Sequence, residues 1–324
     1  MRAVIYRGAG GTDVIQLAEA PTPEPAEHQV RVRVHAAGLN RSDIHQRRGN
    51  YPAPPGWPTN IPGLEYAGEV EKSGPMVTRW RVGDRVMGLV GGGAQAESVV
   101  VHEDESMAIP EGMSFRDAAA IPEAFLTAFD ALTTRGRLQS GERVLIHAVG
   151  SGVGTAAVQL ARRQGASSIL GTSRTADKLE RAKAYGLDVG IDTRSESFRD
   201  KVGHPIDVVL DVLGGSAFAD NLAVLAPRGR LVLLGFLGGT TANIDLSPVL
   251  RKRLEIIGSV MRIRSVRERI ELIRDFSRAA LPGFVDGTLR PVVGGVMPMT
   301  EIARAHEEME RNETFGKVIL EWVN

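Results

Sequence analysis

Between Val144 and Ala157 an apolar, strand-like run, Val144-Leu145-Ile146-His147-Ala148-Val149, leads through Gly150-Ser151-Gly152-Val153-Gly154 into a helix-like Thr155-Ala156-Ala157. Glycines in such a turn let the backbone approach a pyrophosphate, whose charge then rests on free N–H groups at the helix N-terminus. A strict G-x-G-x-x-G fails, because Thr155 stands third when counted from Gly150; Ala148-x-x-Ser151-x-x-Gly154 fits as a looser variant. The same residues can form a tight turn with no ligand. Their place after a strand and before a helix, with more such units following, favours a dinucleotide site, with Ser151, Gly152 and Val153 under the phosphates. The next strand selects the cofactor. NAD sites set an acid about 20 residues past the fingerprint, and none occurs between Thr155 and Ala176. The strand instead ends Gly171-Thr172-Ser173-Arg174, with Lys178 one helical turn on. Two hydroxyls and two cations suit a 2′-phosphate, so these five residues are predicted to select NADPH; the competing reading makes Arg174 and Lys178 solvated surface charges.

Other chemistries lack their residues. Cysteine is absent, which removes thiolate catalysis, disulfides and Cys-ligated metals. The seven histidines, His28, His35, His45, His102, His147, His204 and His306, show no paired metal-ligand spacing and read as surface or locally hydrogen-bonded residues. No G-x-S-x-G elbow is present. Arg251, Lys252, Arg253, Arg262, Arg264, Arg267 and Arg269 form a basic cluster that Glu255, Glu268 and Glu271 dilute; it reads as a solvated face. With 39 basic against 39 acidic residues the net charge is zero, so nucleic acid is not an expected partner.

The elements that must carry these groups can be read from texture. At 324 residues the chain is about twice the ~150 of one domain. The first ~120 residues are punctuated by Gly and Pro, and Val30-Arg31-Val32-Arg33-Val34-His35 alternates at period two, as in a half-buried strand. Ser114 precedes an Ala-rich helical run. From Arg143 strands alternate with helices: Arg143 to Val149, Ser168 to Ser173, Ile206 to Leu213, Gly229 to Gly235 and Glu255 to Val260, with helical patterns such as Thr155 to Gln164 and Asp177 to Tyr185 between them. That rhythm predicts a parallel sheet covered on both faces. The last ~60 residues lose it and end in a strand-like Gly316-Lys317-Val318-Ile319-Leu320. No run reaches the ~18 apolar residues of a membrane span, and the start shows no leader pattern, so a cytoplasmic protein without membrane partners is expected.

Landmarks then fall in order along nearly the whole chain: Gly38-Leu39-Asn40-Arg41-Ser42-Asp43, Gln46-Arg47-Arg48-Gly49-Asn50-Tyr51-Pro52, Gly63-Leu64-Glu65, Ala118-Ala119-Ala120-Ile121-Pro122-Glu123-Ala124, Leu126-Thr127-Ala128-Phe129, the glycine loop, and Gly316-Lys317-Val318. With these the chain resembles the zinc-lacking quinone oxidoreductases of the medium-chain dehydrogenase/reductase superfamily, and within them the tumour-suppressor-inducible branch. Val149 departs from the Gly usual in that branch, and Thr193 from the Tyr that relatives place near the adenine. The resemblance implies an α/β protein: a GroES-like β domain, residues 1–123 and 263–324, with a doubly wound Rossmann domain, 124–262, inserted and the active cleft between them. It also implies a homodimer paired through Glu255-Ile256-Ile257-Gly258-Ser259-Val260. At the zinc-ligand positions of distant alcohol dehydrogenases stand Asn40 and Leu64. Without that Lewis acid a ready hydride acceptor is the expected substrate: a quinone, or alternatively an activated C=C bond of an enone or enoyl compound. An RNA-binding or crystallin-like structural role is the non-enzyme alternative. By the family pattern Thr127, Gly235, Phe236, Leu237, Ser259, Val260 and Lys317 join the cofactor contacts. Tyr51 is implied as a hydrogen-bond or proton donor to the substrate, and reads equally as a packing tyrosine bonded to the backbone; Asn40 and Asp43 would orient substrate or cofactor, with Asp43 also read as a helix-start cap or the charge partner of a nearby Arg.

Overall fold

The computed structural model describes residues 1–323, so Asn324, the last residue of the expected 263–324 segment, lies outside the described residues. The chain divides into two compact units, Met1–Leu126 with Met261–Asn324, and Thr127–Val260. Ala124–Leu126 and Met261–Arg262 thus lie with the first unit.

The second unit holds a six-stranded, wholly parallel sheet. Its spatial order is Val189–Asp192, Ser168–Ser173, Arg143–Ile146, Ile206–Asp211, Leu225–Leu233, Glu255–Gly258. In chain order that is 3-2-1-4-5-6, the Rossmann arrangement, whose direction reverses between Arg143–Ile146 and Ile206–Asp211. The inner strands are continuous apolar runs because helices such as Gly152–Arg163 cover them; Leu145, Leu170, Val209 and Leu231 are buried in one core. Strand Glu255–Gly258 forms the edge and leaves Ile256 41% exposed.

The first unit is built on a seven-stranded sheet around the long strand Gln29–Leu39, which pairs antiparallel with Glu65–Ser73, Ser98–His102 and Lys317–Glu321. Its alternating Val30, Val32 and Val34 point into the core with Val86, Val99 and Leu320. The strands Val293–Pro298 and Lys317–Glu321 belong to this sheet, joined by the helix Ile302–Glu310. Among the described residues no helix is long and apolar enough to cross a membrane.

Two histidines expected at the surface or bonded locally are buried and reach far along the chain. His306 accepts from the Arg47 guanidinium at Nδ1 (3.2 Å), because a guanidinium can only donate, which leaves Nε2–H to face the Tyr6 hydroxyl at 3.4 Å. Tyr6 in turn donates to the Asp43 carbonyl (3.3 Å), so this chain seats the helix Arg41–Arg47 on the helix Ile302–Glu310. Burial, and then the Arg47 charge, hold the His306 pKa down at about 3. The unfolded state therefore binds a proton at higher pH than the native one, and stability falls as pH drops from ~6.5 towards 3. His306→Gln removes that titration. Chemical denaturation should show wild type losing on the order of 2 kcal/mol relative to the variant between pH 7 and 4.5; parallel curves would exclude a buried neutral His306.

Candidate functional site

In the second unit the groups gather where the strand order reverses. The loop Ala148–Ser151 follows the first strand, and Ala148 takes φ +52° to make the turn. Ser151 caps the helix Gly152–Arg163, its Oγ accepting from the Gly154 N–H at 3.0 Å. Among the described residues the N–H groups of Gly152 and Val153 have no acceptor. Two open N–H donors at the positive end of a twelve-residue helix suit a pyrophosphate. Lys178 lays its stem across Gly150, where no side chain fits, and Arg174 is exposed at the strand end with no ion pair among the described residues. The structure thus brings Ser151, Gly152, Val153, Ser173, Arg174 and Lys178 around one loop. Ser173 is buried, its Oγ accepting from Thr175 N–H at 3.1 Å. Gly235, Phe236 and Leu237 lie on the segment after Leu225–Leu233, laced to the neighbouring strand end by Leu237 N–H to Val212 O (2.9 Å), with Phe236 and Leu237 exposed. Thr127 is buried and Val260 exposed.

Three expected contacts have other duties. Gly171 is bare because a Cβ there would stand 2.9 Å from the Cβ and Cγ2 of Val149, so it makes room for that departure from Gly. Thr172 is buried and donates to His147 Nδ1 (2.8 Å). His147 Nε2–H donates to Asn221 Oδ1 (2.8 Å), and Asn221 Nδ2 to Asp211 Oδ2 (3.0 Å), while Asp211 Oδ1 accepts from the N–H of Leu213 (2.6 Å) and Gly214 (3.1 Å). Burial lowers the His147 pKa and keeps it neutral, as this tautomer requires. Ser259 donates to buried Asp130 at 2.6 Å. Sequence reasoning missed His147, Asn221 and Asp211 as the staples of the switch point. The signal was there only in part: a polar residue ending an apolar strand. Thr193, the other departure, bonds the Ser173 carbonyl through its N–H (2.9 Å).

In the first unit a buried ionic knot anchors the expected substrate groups. Lys317 Nζ meets Glu65 Oε1 (2.5 Å), Asn40 Oδ1 (2.5 Å) and Leu39 O (3.1 Å), which engages all three of its N–H bonds. It has no donor for a cofactor, and that expectation is corrected. Asn40 Nδ2 donates to Glu65 Oε1 (2.9 Å), and Glu65 Oε2 accepts from Glu123 N–H (2.8 Å). Gly38 must stay bare, since a Cβ would sit 2.2 Å from Glu65 Oε1. Asp43 caps its helix by accepting Asn40 N–H at 2.8 Å, and burial pushes its pKa up to about 6. Its Oδ1, like Gln95 Oε1, is buried without a partner among the described residues. Tyr51 is half-buried, and its hydroxyl has no hydrogen-bond partner among the described residues. The basic cluster is corrected as well: Arg262 and Arg269 are buried, Arg269 on Glu105 and Arg262 against Tyr51. A zinc ion does not fit here. Both functional atoms of the Asn40 amide are engaged, Leu64 has no lone pair, and no cluster of three metal-ligating side chains occurs among the described residues.

Comparisons with known proteins agree with this geometry. The model of the alcohol dehydrogenase GroES-like domain matches residues 26–111, and that of the zinc-binding dehydrogenases residues 152–276. The chain is 32% identical to human quinone oxidoreductase over 99% of its own length and 97% of that protein's. It is also 32% identical to the human synaptic vesicle membrane protein VAT-1 homolog, over 99% and 86%. The structure of Escherichia coli quinone oxidoreductase complexed with NADPH superposes with a TM-score of 0.89 at 28% identity, covering 99% of this chain and 100% of that one.

Removing one member of the knot leaves the other charged in the interior. Lys317→Met should cost about 3–5 kcal/mol in denaturant unfolding, and adding Glu65→Gln should recover a large part. Additive losses would show the two are not coupled.

Proposed function

Because the chain belongs to the medium-chain dehydrogenase/reductase superfamily, we propose that it reduces small quinones with NADPH, without a metal, as a cytoplasmic homodimer. The observation that carries this reading is the loop itself: open Gly152 and Val153 N–H groups, exposed Arg174 and half-buried Lys178, with no carboxylate at the end of the strand Ser168–Ser173. Gly152 and Val153 would hold the pyrophosphate, and Ser173, Arg174 and Lys178 the 2′-phosphate. The Thr172–His147–Asn221–Asp211 chain keeps the loop and the neighbouring strand end in register. Thr127, Gly235, Phe236, Leu237 and Val260 would flank the nicotinamide. When bound, the reduced cofactor supplies the hydride.

The remaining chemistry falls to the first unit. A reduced quinone oxygen needs a proton, and Tyr51 offers a phenol whose O–H is not used internally. Burial raises its pKa, Arg262 lowers it, and Glu123 and Asp43 raise it, so the phenol stays protonated at neutral pH and can donate. Asn40 and Asp43 act behind it, as knot and helix cap. The quinone, rather than an alcohol, suits this site because its reduction needs no Lewis acid, and the position that would hold zinc carries Leu64. The exposed edge strand Glu255–Gly258 supports the dimer, since a two-fold mate would cover its unpaired backbone groups.

Arg174→Ala should weaken NADPH binding about ten- to a hundredfold in fluorescence titrations and leave NADH unchanged. Equal losses would show that Arg174 does not read the phosphate. Tyr51→Phe should lower kcat by about 10²- to 10⁴-fold on the best quinone of a panel that also holds enones and enoyl thioesters, assayed with and without chelator. An unchanged kcat reduces Tyr51 to a pocket wall, chelator sensitivity ends the metal-free reading, and turnover of enones alone replaces the substrate class.

A further inference from the structure

Tyr51 opens a proline-rich loop, Tyr51-Pro52-Ala53-Pro54-Pro55-Gly56-Trp57-Pro58, and the aromatic residues near its two ends each lie under an arginine. Arg262 stands over the Tyr51 ring at 4.9 Å and Arg269 over the Trp57 ring at 5.9 Å. The two arginines differ in one respect. Arg269 has a carboxylate, Glu105, on its Nε. Arg262 is only 3% exposed, yet its hydrogen bonds go to neutral acceptors: Nε to Gly91 O (2.8 Å), Nη1 to Tyr51 O (2.7 Å) and Nη2 to Gln46 Oε1 (2.7 Å).

A guanidinium taken out of water without a bonded anion is costly, and a purely structural strut would be cheaper as a paired or apolar group. The Asp43 carboxylate faces Arg262 without a hydrogen bond to it, and negative charge developing on the Tyr51 ring that the guanidinium already covers would add a second, closer-held anion. Arg262 grips Tyr51 at two points, backbone carbonyl and ring face, and the charged groups that face the phenol are Arg262 from the returning segment, Glu123 from the helix Pro122–Phe129 and Asp43 from the helix Arg41–Arg47. Only the first favours a phenolate.

We propose that Arg262 is the positioning residue of Tyr51 in the first unit, fixing its ring and stabilising the phenolate left when its proton is given up. The inference rests on Tyr51 being the proton donor. In that step the Tyr51 O–H bond breaks, its electron pair stays on the phenolate oxygen, and an O–H bond forms on the reduced substrate oxygen; water later returns a proton to Tyr51. Each proton lost by Tyr51 is thus gained by substrate, and no further reductant or oxidant is needed.

Tyrosinate absorbance of the cofactor-free protein gives a readout apart from turnover. The difference between wild type and Tyr51→Phe isolates the Tyr51 titration, and the same difference in an Arg262→Met background should have its midpoint about one unit higher or more. In turnover, Arg262→Met should lower kcat at least tenfold in wild type and less than twofold in Tyr51→Phe. Should Arg262→Met not fold, Arg262→Lys carries the test, because an ammonium cannot hold the carbonyl and the ring face together: at least a fivefold loss of kcat in wild type and under twofold in Tyr51→Phe supports the proposal. An unmoved midpoint, or equal losses in both backgrounds, overturns it. If Tyr51→Phe alone leaves kcat unchanged, the donor reading fails, and the stabilisation of a phenolate by Arg262 is still decided by the midpoint.

Discussion

The first unit depends on a carboxylate and an ammonium that are buried together. Glu65 and Lys317 are separated by 252 positions in the chain, and each is tolerable there only because the other is present. Their meeting fixes more than a contact. It brings the start of the last strand to the end of the long Gln29–Leu39 strand, orients the Asn40 amide, and through the Glu123 N–H ties in the start of the helix Pro122–Phe129. Asn40 then delivers the N–H that Asp43 caps, so the helix carrying Asp43, Gln46 and Arg47 begins at a defined point. The groups set around Tyr51 are downstream of this one pairing.

The second unit solves a related problem with a hydrogen-bonded chain that ends on a single carboxylate. Where a parallel sheet reverses its order, two adjacent strand ends must be held apart enough to admit a ligand, yet in fixed register. Thr172, His147, Asn221 and Asp211 do this with a directional chain whose tautomer is set by burial. The buried end of that chain is the Asp211 carboxylate, held by Asn221 and the N–H groups of Leu213 and Gly214, while exposed Arg174 and half-buried Lys178 stand at the rim.

Much of this architecture is legible in the sequence. Periodicity marked the strand Ser168–Ser173 end to end, and the Gly150–Gly154 loop sits at a strand-to-helix turn. What the sequence hid is long-range pairing. Nothing local distinguishes Arg262 and Arg269 from the solvated arginines around them, because their burial follows from Tyr51, Trp57 and Glu105, over 160 positions away. Lys317 sits in a family landmark, which pointed to the cofactor, whereas its partners are Glu65 and Asn40. Thr172 illustrates the opposite error: a hydroxyl in the right motif faces inward, where it bonds His147.

The packing of Val149 against Gly171 has a consequence for how such a site can change by single substitutions. A methyl group at position 171 would press on the β-carbon of Val149, a branched side chain that cannot swing aside, although the nearby Leu187 methyl at 2.8 Å can rotate away. Position 149 therefore has to shrink before position 171 can grow, and the reverse order passes through an overfilled intermediate. The loop after the first strand and the strand beside it thus share one fixed volume, and the order in which it is redistributed is set for any lineage or library that starts from this chain.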